Sequence, residues 1–177
     1  KTLTYDLDGN LTNDSVLAYF WDGENRLIKV EPLNLTNGAQ RVRNIYDYMS
    51  RRVEKAVDEY SGGKWSNVST NKFIWDGWLP VCEITDTGAQ VVTNYWVYGL
   101  DLSGSLQGAG GIDGLLLWSR GPPNQGAFLF CADGNGNITE ILDANSPTNI
   151  LAHYEYSPYG SLTTCSGSEA VNNHFLF

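Results

Sequence analysis

The residues here whose spacing suggests chemistry are acids and amides at alternate positions. Asp133, Asn135 and Asn137 alternate, as do Asp6, Asp8 and Asn10. Calcium loops begin this way. Such a loop also needs glycine at its sixth position and a carboxylate at its twelfth. Those places hold Ile138 and Ala144 in the first case and Leu11 and Leu17 in the second. The residues therefore predict turns rather than a metal site. With 20 Asp and Glu, a carboxylate pair for glycoside hydrolysis has ample raw material. No two of these acids are singled out as convergent, and their recurrence at turns already gives them a structural role.

Nucleophiles fare no better. There is no G-x-S-x-G, and Ser103 and Ser105 lie in a glycine-rich stretch without an adjacent base. The two histidines, His153 and His174, are too few for a metal centre, and His153 alternates with strand residues. Gly108–Gly114 departs from G-x-G-x-x-G, because Asp113 stands where the last glycine belongs. The sequence leads us to expect no catalytic, cofactor-binding or metal residues, no cofactor, and no enzyme.

Bulk properties narrow the partners. The net charge is −9, and only 11 residues are Lys or Arg. A nucleic-acid binder needs clustered cations. The densest groups here, Arg41–Arg43 and Arg51–Arg52, read as scattered strand charges, so no nucleic acid is expected. No apolar run is long enough to span a bilayer as a helix, and no membrane insertion is expected. Hydrophobic residues make up 42% of the chain, enough to fold. Cys82, Cys131 and Cys165 form no C-x-x-C and read as small buried hydrophobes, with one disulfide left open. Sequons at Asn10, Asn13, Asn34, Asn67 and Asn137 matter only where glycosylation machinery exists. Trp78, Trp96 and Trp118 suit sheet packing and, alternatively, sugar stacking. The chain begins at Lys1 without a signal peptide, which reads as a processed product or an internal segment.

Repeats position all of this. Tyr5-Asp6-Leu7-Asp8-Gly9-Asn10-Leu11 reads aromatic, Asp, two residues, Gly, Asn, apolar. Trp21-Asp22-Gly23-Glu24-Asn25-Arg26-Leu27 shares the frame with Asn25 in the glycine place. Tyr46-Asp47 leads a copy with Ser50 there. Trp75-Asp76-Gly77-Trp78-Leu79 is contracted. Asp133 to Gly136 keeps all but the aromatic, and Tyr156 to Gly160 replaces Asp with Ser157. The aromatic ends a strand, the Asp gathers backbone N–H groups, and Gly or Asn takes the positive φ of the turn. Tyr5, Asp6, Gly9, Trp21, Asp22, Asn25, Tyr46, Asp47, Trp75, Asp76, Asp133, Gly136, Tyr156 and Gly160 are thus predicted turn and repeat positions.

Between the copies, Val16–Phe20, Leu27–Val30, Phe73–Trp75, Val91–Tyr98, Leu115–Trp118, Phe128–Cys131, Ile138–Leu142 and Ile150–Tyr156 read as strands. Arg51–Tyr60 also fits a helical stripe through Val53, Ala56, Val57 and Tyr60, but the repeat frame leads into it and predicts a strand. Ser103–Gly114 and Arg120–Gly126 read as loops. The expected fold is all-β, antiparallel hairpin repeats in a meandering sheet, which the resemblance described next would make a curved or spiral sheet of YD-repeat type. It is expected as one domain over residues 1–177, with units near 5–30, 46–98, 99–131 and 132–177.

These aromatic–Asp units resemble the YD repeats of bacterial Rhs proteins and animal teneurins. Tyr98-Gly99-Leu100-Asp101-Leu102-Ser103-Gly104-Ser105-Leu106-Gln107-Gly108-Ala109-Gly110-Gly111-Ile112 resembles the signature of the Rhs repeat-associated core. Asp133–Thr139 and Ala152–Gly160 do so too. The resemblance implies a β-sheet spiral that closes into a shell, in toxin members around an effector, with a C-terminal self-cleavage motif. This sequence stops at Asn173-His174-Phe175-Leu176-Phe177, before that motif.

The expected role is a non-catalytic scaffold, either a shell segment or a self-associating structural protein, secreted or on the cell surface. Its expected partners are flanking repeats or copies of itself through sheet edges, with toxin cargo in a parent protein. The alternative is a module that binds or processes carbohydrate, with glycans as partners.

Overall fold

Alternating apolar and polar residues between turn signals leave the backbone one economical choice, a meander of hairpins. The computed structural model describes residues 2–111 and 114–176. Lys1, Ile112, Asp113 and Phe177 lie outside the described residues, and with them the comparison of Asp113 with a dinucleotide loop. Among the described residues every regular element is a strand. In order they are β1 (Thr4–Tyr5), β2 (Leu11–Asn13), β3 (Leu17–Trp21), β4 (Leu27–Pro32), β5 (Gln40–Tyr46), β6 (Arg52–Ser61) and β7 (Lys64–Asp76). There follow β8 (Leu79–Asp86), β9 (Val91–Tyr98), β10 (Leu115–Arg120), β11 (Gly126–Ala132), β12 (Ile138–Asp143), β13 (Ser146–Tyr156) and β14 (Leu162–Ser166). They form one 14-stranded sheet whose strand order is the chain order. The all-β hairpin-repeat expectation holds, and the stretch that also fitted a helix is strand β6.

The chain divides into two compact units, Lys1–Ile74 with Glu83–Val91, and Trp75–Cys82 with Val92–Phe177. In the first unit the best-buried positions are largely polar. Asp58, Asn44 and Glu83 are buried alongside Ala56. The antiparallel register sets Arg41 opposite Asp58 and Arg43 opposite Ala56, so these side chains share one face of β5 and β6.

The second unit has an apolar core. Trp96, Trp118, Phe128, Ile138, Ile141, Ala152, Tyr154 and Ala170 are buried together. Register explains their convergence: Trp96, Trp118 and Phe128 are successive cross-strand partners on β9, β10 and β11, and Ile141 faces Ala152 across β12 and β13. Residues 167–176, after β14, pack Ala170, Phe175 and Leu176 against this core.

Candidate functional site

The aromatic–Asp frame falls at the β1–β2, β3–β4, β5–β6, β11–β12 and β13–β14 turns, always from an odd strand to an even one. One hairpin is therefore one repeat. In each of the first four, the Asp accepts through Oδ1 from the N–H groups two and four residues on. Asp6 takes Asp8 at 3.0 Å and Asn10 at 2.8 Å. Asp22 takes Glu24 and Arg26, Asp47 takes Met49 and Arg51, and Asp133 takes Asn135 and Asn137. The residue three places after each Asp has a left-handed backbone: Gly9 at φ 88°, Asn25 at 59°, Ser50 at 61° and Gly136 at 83°. Such a conformation is cheap only for Gly and tolerable for Asn. At the last turn Ser157 stands in for Asp, its Oγ accepting from Ser161 N, and Gly160 has φ 78°.

A further participant went unread in the sequence. The side chain four residues after the Asp bonds its second oxygen: Asn10 to Asp6 at 3.1 Å, Arg26 to Asp22 at 2.7 Å, Arg51 to Asp47 at 2.8 Å and Asn137 to Asp133 at 2.8 Å. Hydrogen bonds from Asn10 and Asn137 hold the carboxyls of Asp6 and Asp133 below the usual range. Burial pushes Asp22 and Asp47 upward, but the donors of Arg26 and Arg51 outweigh it and both are lowered. Protein donors thus occupy both oxygens of each carboxylate. Among the described residues no group of three or more His, Cys, Asp or Glu is arranged to hold a metal ion.

Trp75 and Asp76 stand at the end of β7, one residue further into the strand than in the other copies. Both belong to β7, and the β7–β8 turn is the pair Gly77-Trp78. Gln107 braces it from the glycine-rich loop, donating to Asp76 O at 3.1 Å and accepting from Trp78 N at 3.0 Å.

That loop is organised by Asp101, which is buried. Its Oδ1 accepts from Ser103 N at 2.9 Å and Ser103 Oγ at 2.5 Å, and its Oδ2 from Ala109 N at 2.6 Å and Gly111 N at 3.2 Å. The Ser103 hydroxyl bond leads a set that holds the carboxyl down to about 2. Asp101 N also bonds Ser105 O, and Gly104 N bonds Asp101 O, so the loop opens with the same turn as the repeats. Gly111 has φ 79°, a left-handed backbone that favours glycine. A Cβ there would lie 2.2 Å from a Leu79 methyl.

A cleft of about 200 Å³ lies beside this loop, with Trp78, Leu79, Pro80, Tyr98, Leu115, Ile138 and Phe175 on its walls. Its volume suits one large side chain and falls below that of ordinary small-molecule sites. Tyr98 donates to Pro80 O at 3.2 Å, and burial pushes its phenol up to about 12. The segment after β14 closes the core nearby. Arg120 makes two bonds to Glu169 at 2.8 and 2.9 Å, and Tyr154 donates to Ala170 O at 3.0 Å. Tyr156 donates to Leu176 O at 3.0 Å, and Phe175 meets Trp96 edge to face at 5.1 Å.

In the first unit, Arg41 and Arg43 are part of a cross-strand ladder. Arg41 Nε and Arg43 Nε both lie 2.7 Å from Asp58 Oδ2, and Arg43 Nη2 lies 3.0 Å from Oδ1. Arg43 first, then Arg41 and Asn67, hold the Asp58 carboxyl far below its usual range against the opposing effect of burial. Arg41 also stacks on Trp65 at 4.6 Å. The remaining candidates are dispersed. His153 sits on β13 between Glu140 and Glu155, at 3.2 and 3.5 Å. His174 lies in the terminal segment. Cys82 is buried, Cys131 half-buried and Cys165 exposed.

Serial hairpins with Asp-pinned turns and a glycine loop tied to a buried Asp define an all-β repeat-sheet protein, and comparison finds similar sequences and folds over nearly the whole chain. No family model matches. The chain is 26% identical over 175 residues to the tRNA3(Ser)-specific nuclease WapA of Bacillus spizizenii, and 27% identical to the tRNA nuclease WapA of Bacillus subtilis. These alignments take in 98% of the chain, which spans only 6% of the length of either relative. Among solved structures, it matches the Photorhabdus luminescens Tc holotoxin pore with TM-score 0.66 and 16% identity, covering 98% of this chain and 8% of that one. The TcdB2–TccC3 complex matches with TM-score 0.65, 16% identity and the same coverage. At that identity the likeness is one of fold.

These names correct one expectation. The chain was expected to be no enzyme, yet its curated relatives are named tRNA nucleases. The expectation rested on missing motifs, and a stretch equal to 6% of such a protein lacks the reach to exclude an activity.

Proposed function

We propose that this chain is a stretch of β-repeat wall in a larger toxin-type protein of the Rhs kind, joined by its sheet edges to further repeats and enclosing cargo in that parent. One observation carries the reading: 14 antiparallel strands follow one another in strict chain order. In such a sheet each hairpin satisfies its backbone edge only through the next. Among the described residues, the outer edges of β1 and β14 pair with no strand. The length of the relatives supports the same view, since each is many times longer than this chain. The nuclease action on tRNA named for them enters the proposal as an activity of the parent. Secretion or exposure at the cell surface belongs to it as well.

Hydrogen exchange on the parent protein tests the wall. The outward amides of β1 and β14 should exchange as slowly as those of interior strands. Exchange at the rate of free edges would overturn the proposal. Incubating the parent with tRNA tests the second part separately, and intact tRNA would remove the nuclease activity from the reading.

A further inference from the structure

One polar row in the first unit is absorbed by neither the turns nor the charge ladder. On β6, Lys55 is the direct cross-strand partner of Asn44 on β5 and of Asn71 on β7. The three side chains therefore share one face of the sheet, with Cβ atoms of each pair about 5 Å apart, within reach of a lysine stem. Beyond Asn71 lies Glu83 of β8, a carboxylate only 8% exposed. Asn71 Nδ2 donates to Glu83 Oε1 at 2.8 Å and to Thr85 Oγ1 at 2.8 Å. On the other side, Asn44 Nδ2 donates to Leu27 O at 2.9 Å, while its buried Oδ1 accepts no hydrogen bond among the described residues.

An amine, a carboxamide and a buried acid in one row are the parts of an amide exchange. We propose that Lys55 and Asn71 form an intramolecular isopeptide bond, assisted by Glu83, which staples β6 to β7. Glu83 takes a proton from the Lys55 ammonium, and the freed Nζ attacks Asn71 Cγ. The Nζ–Cγ bond forms as the Cγ–Nδ2 bond breaks. Nδ2, already hydrogen-bonded to Glu83, recovers protons as it leaves as ammonium. Glu83 ends as the carboxylate it began as, nothing is oxidised or reduced, and no co-reactant is consumed. Asn71 is singled out over Asn44 because its leaving nitrogen touches an acid, whereas that of Asn44 touches a carbonyl oxygen.

The test is mass spectrometry of the full chain, purified, denatured and digested with trypsin. The wild type should be lighter than its sequence by one ammonia. The peptide containing Lys55 should be joined to that containing Asn71, with no cleavage after Lys55. Lys55→Arg and Glu83→Gln should both show the full mass. A wild-type chain at full mass overturns the proposal, whatever the variants do. So does a deficit that survives Lys55→Arg, or a link that joins other residues.

Discussion

Replacing Asp58 by Asn is the sharpest probe of how the first unit is held together, because it changes charge with almost no change in volume. Asp58 is 2% exposed and receives guanidinium bonds at 2.7, 2.7 and 3.0 Å from Arg41 and Arg43. Asn67 adds an amide bond at 3.2 Å. A hydrogen bond to a charged group contributes about 1.5–3 kcal/mol. Removing one partner of a buried ion pair costs about 3–5 kcal/mol. Two features discount that figure here. The side chain of Arg43 is 46% exposed and recovers water when its partner is lost, and Asn keeps one acceptor oxygen. The net loss should be about 2–3 kcal/mol. A repeat sheet does not unfold as one two-state body, so the loss should be read locally. Native-state hydrogen exchange at the β5 and β6 amides is the assay. Protection there should fall by roughly thirty- to a hundredfold, at about 1.4 kcal/mol per tenfold. Replacing Arg41, Arg43 and Asp58 together by apolar residues should recover part of the loss, since no charge is then left unpaired. A change under about 0.5 kcal/mol in Asp58→Asn would show that the arginines are held by other contacts and refute the reasoning.

Two further outcomes follow from the pinned carboxylates. Asp101→Ala should raise exchange at Ala109 and Gly111 by roughly tenfold while β12 and β13 are unaffected, and unchanged exchange in the loop would dissociate Asp101 from its order. Acid should weaken the fold, with a sign set by the lowered carboxyls of Asp101, Asp58 and the turn aspartates. A carboxyl lowered in the folded state contributes fully above its unfolded value near 3.8 and loses that contribution as pH falls through its folded value, about 2 for Asp101. Urea midpoints should therefore be flat above about pH 5 and fall below about pH 4, and a midpoint that rises on acidification would contradict the assignment.

Local chemistry was legible in the residues themselves. Aromatic, Asp and Gly or Asn at fixed offsets specify a turn through forces that act within five residues: an Asx bond, a positive φ and the strand on either side. The sequence alone therefore determined the class, all-β hairpins in series, and placed the turns at Asp6, Asp22, Asp47 and Asp133. It could not show that Asn10, Arg26, Arg51 and Asn137 complete those turns, because Asn and Arg occur freely on any wet surface. Asp76 carried the same local signal but is the last residue of β7, with its carbonyl oxygen held by Gln107.

The tertiary structure decided everything that depends on register. Asp58 is an ordinary strand acid until pairing sets it between Arg41 and Arg43, and Asp101 an ordinary turn residue until the loop returns Ala109 and Gly111 to it. The segment around Ala170 and Phe175 has no periodicity of its own, and only the apolar face of β9 to β13 gives it a place. Burial and pairing between residues distant in sequence are set by the whole sheet, so no short window of the chain contains them.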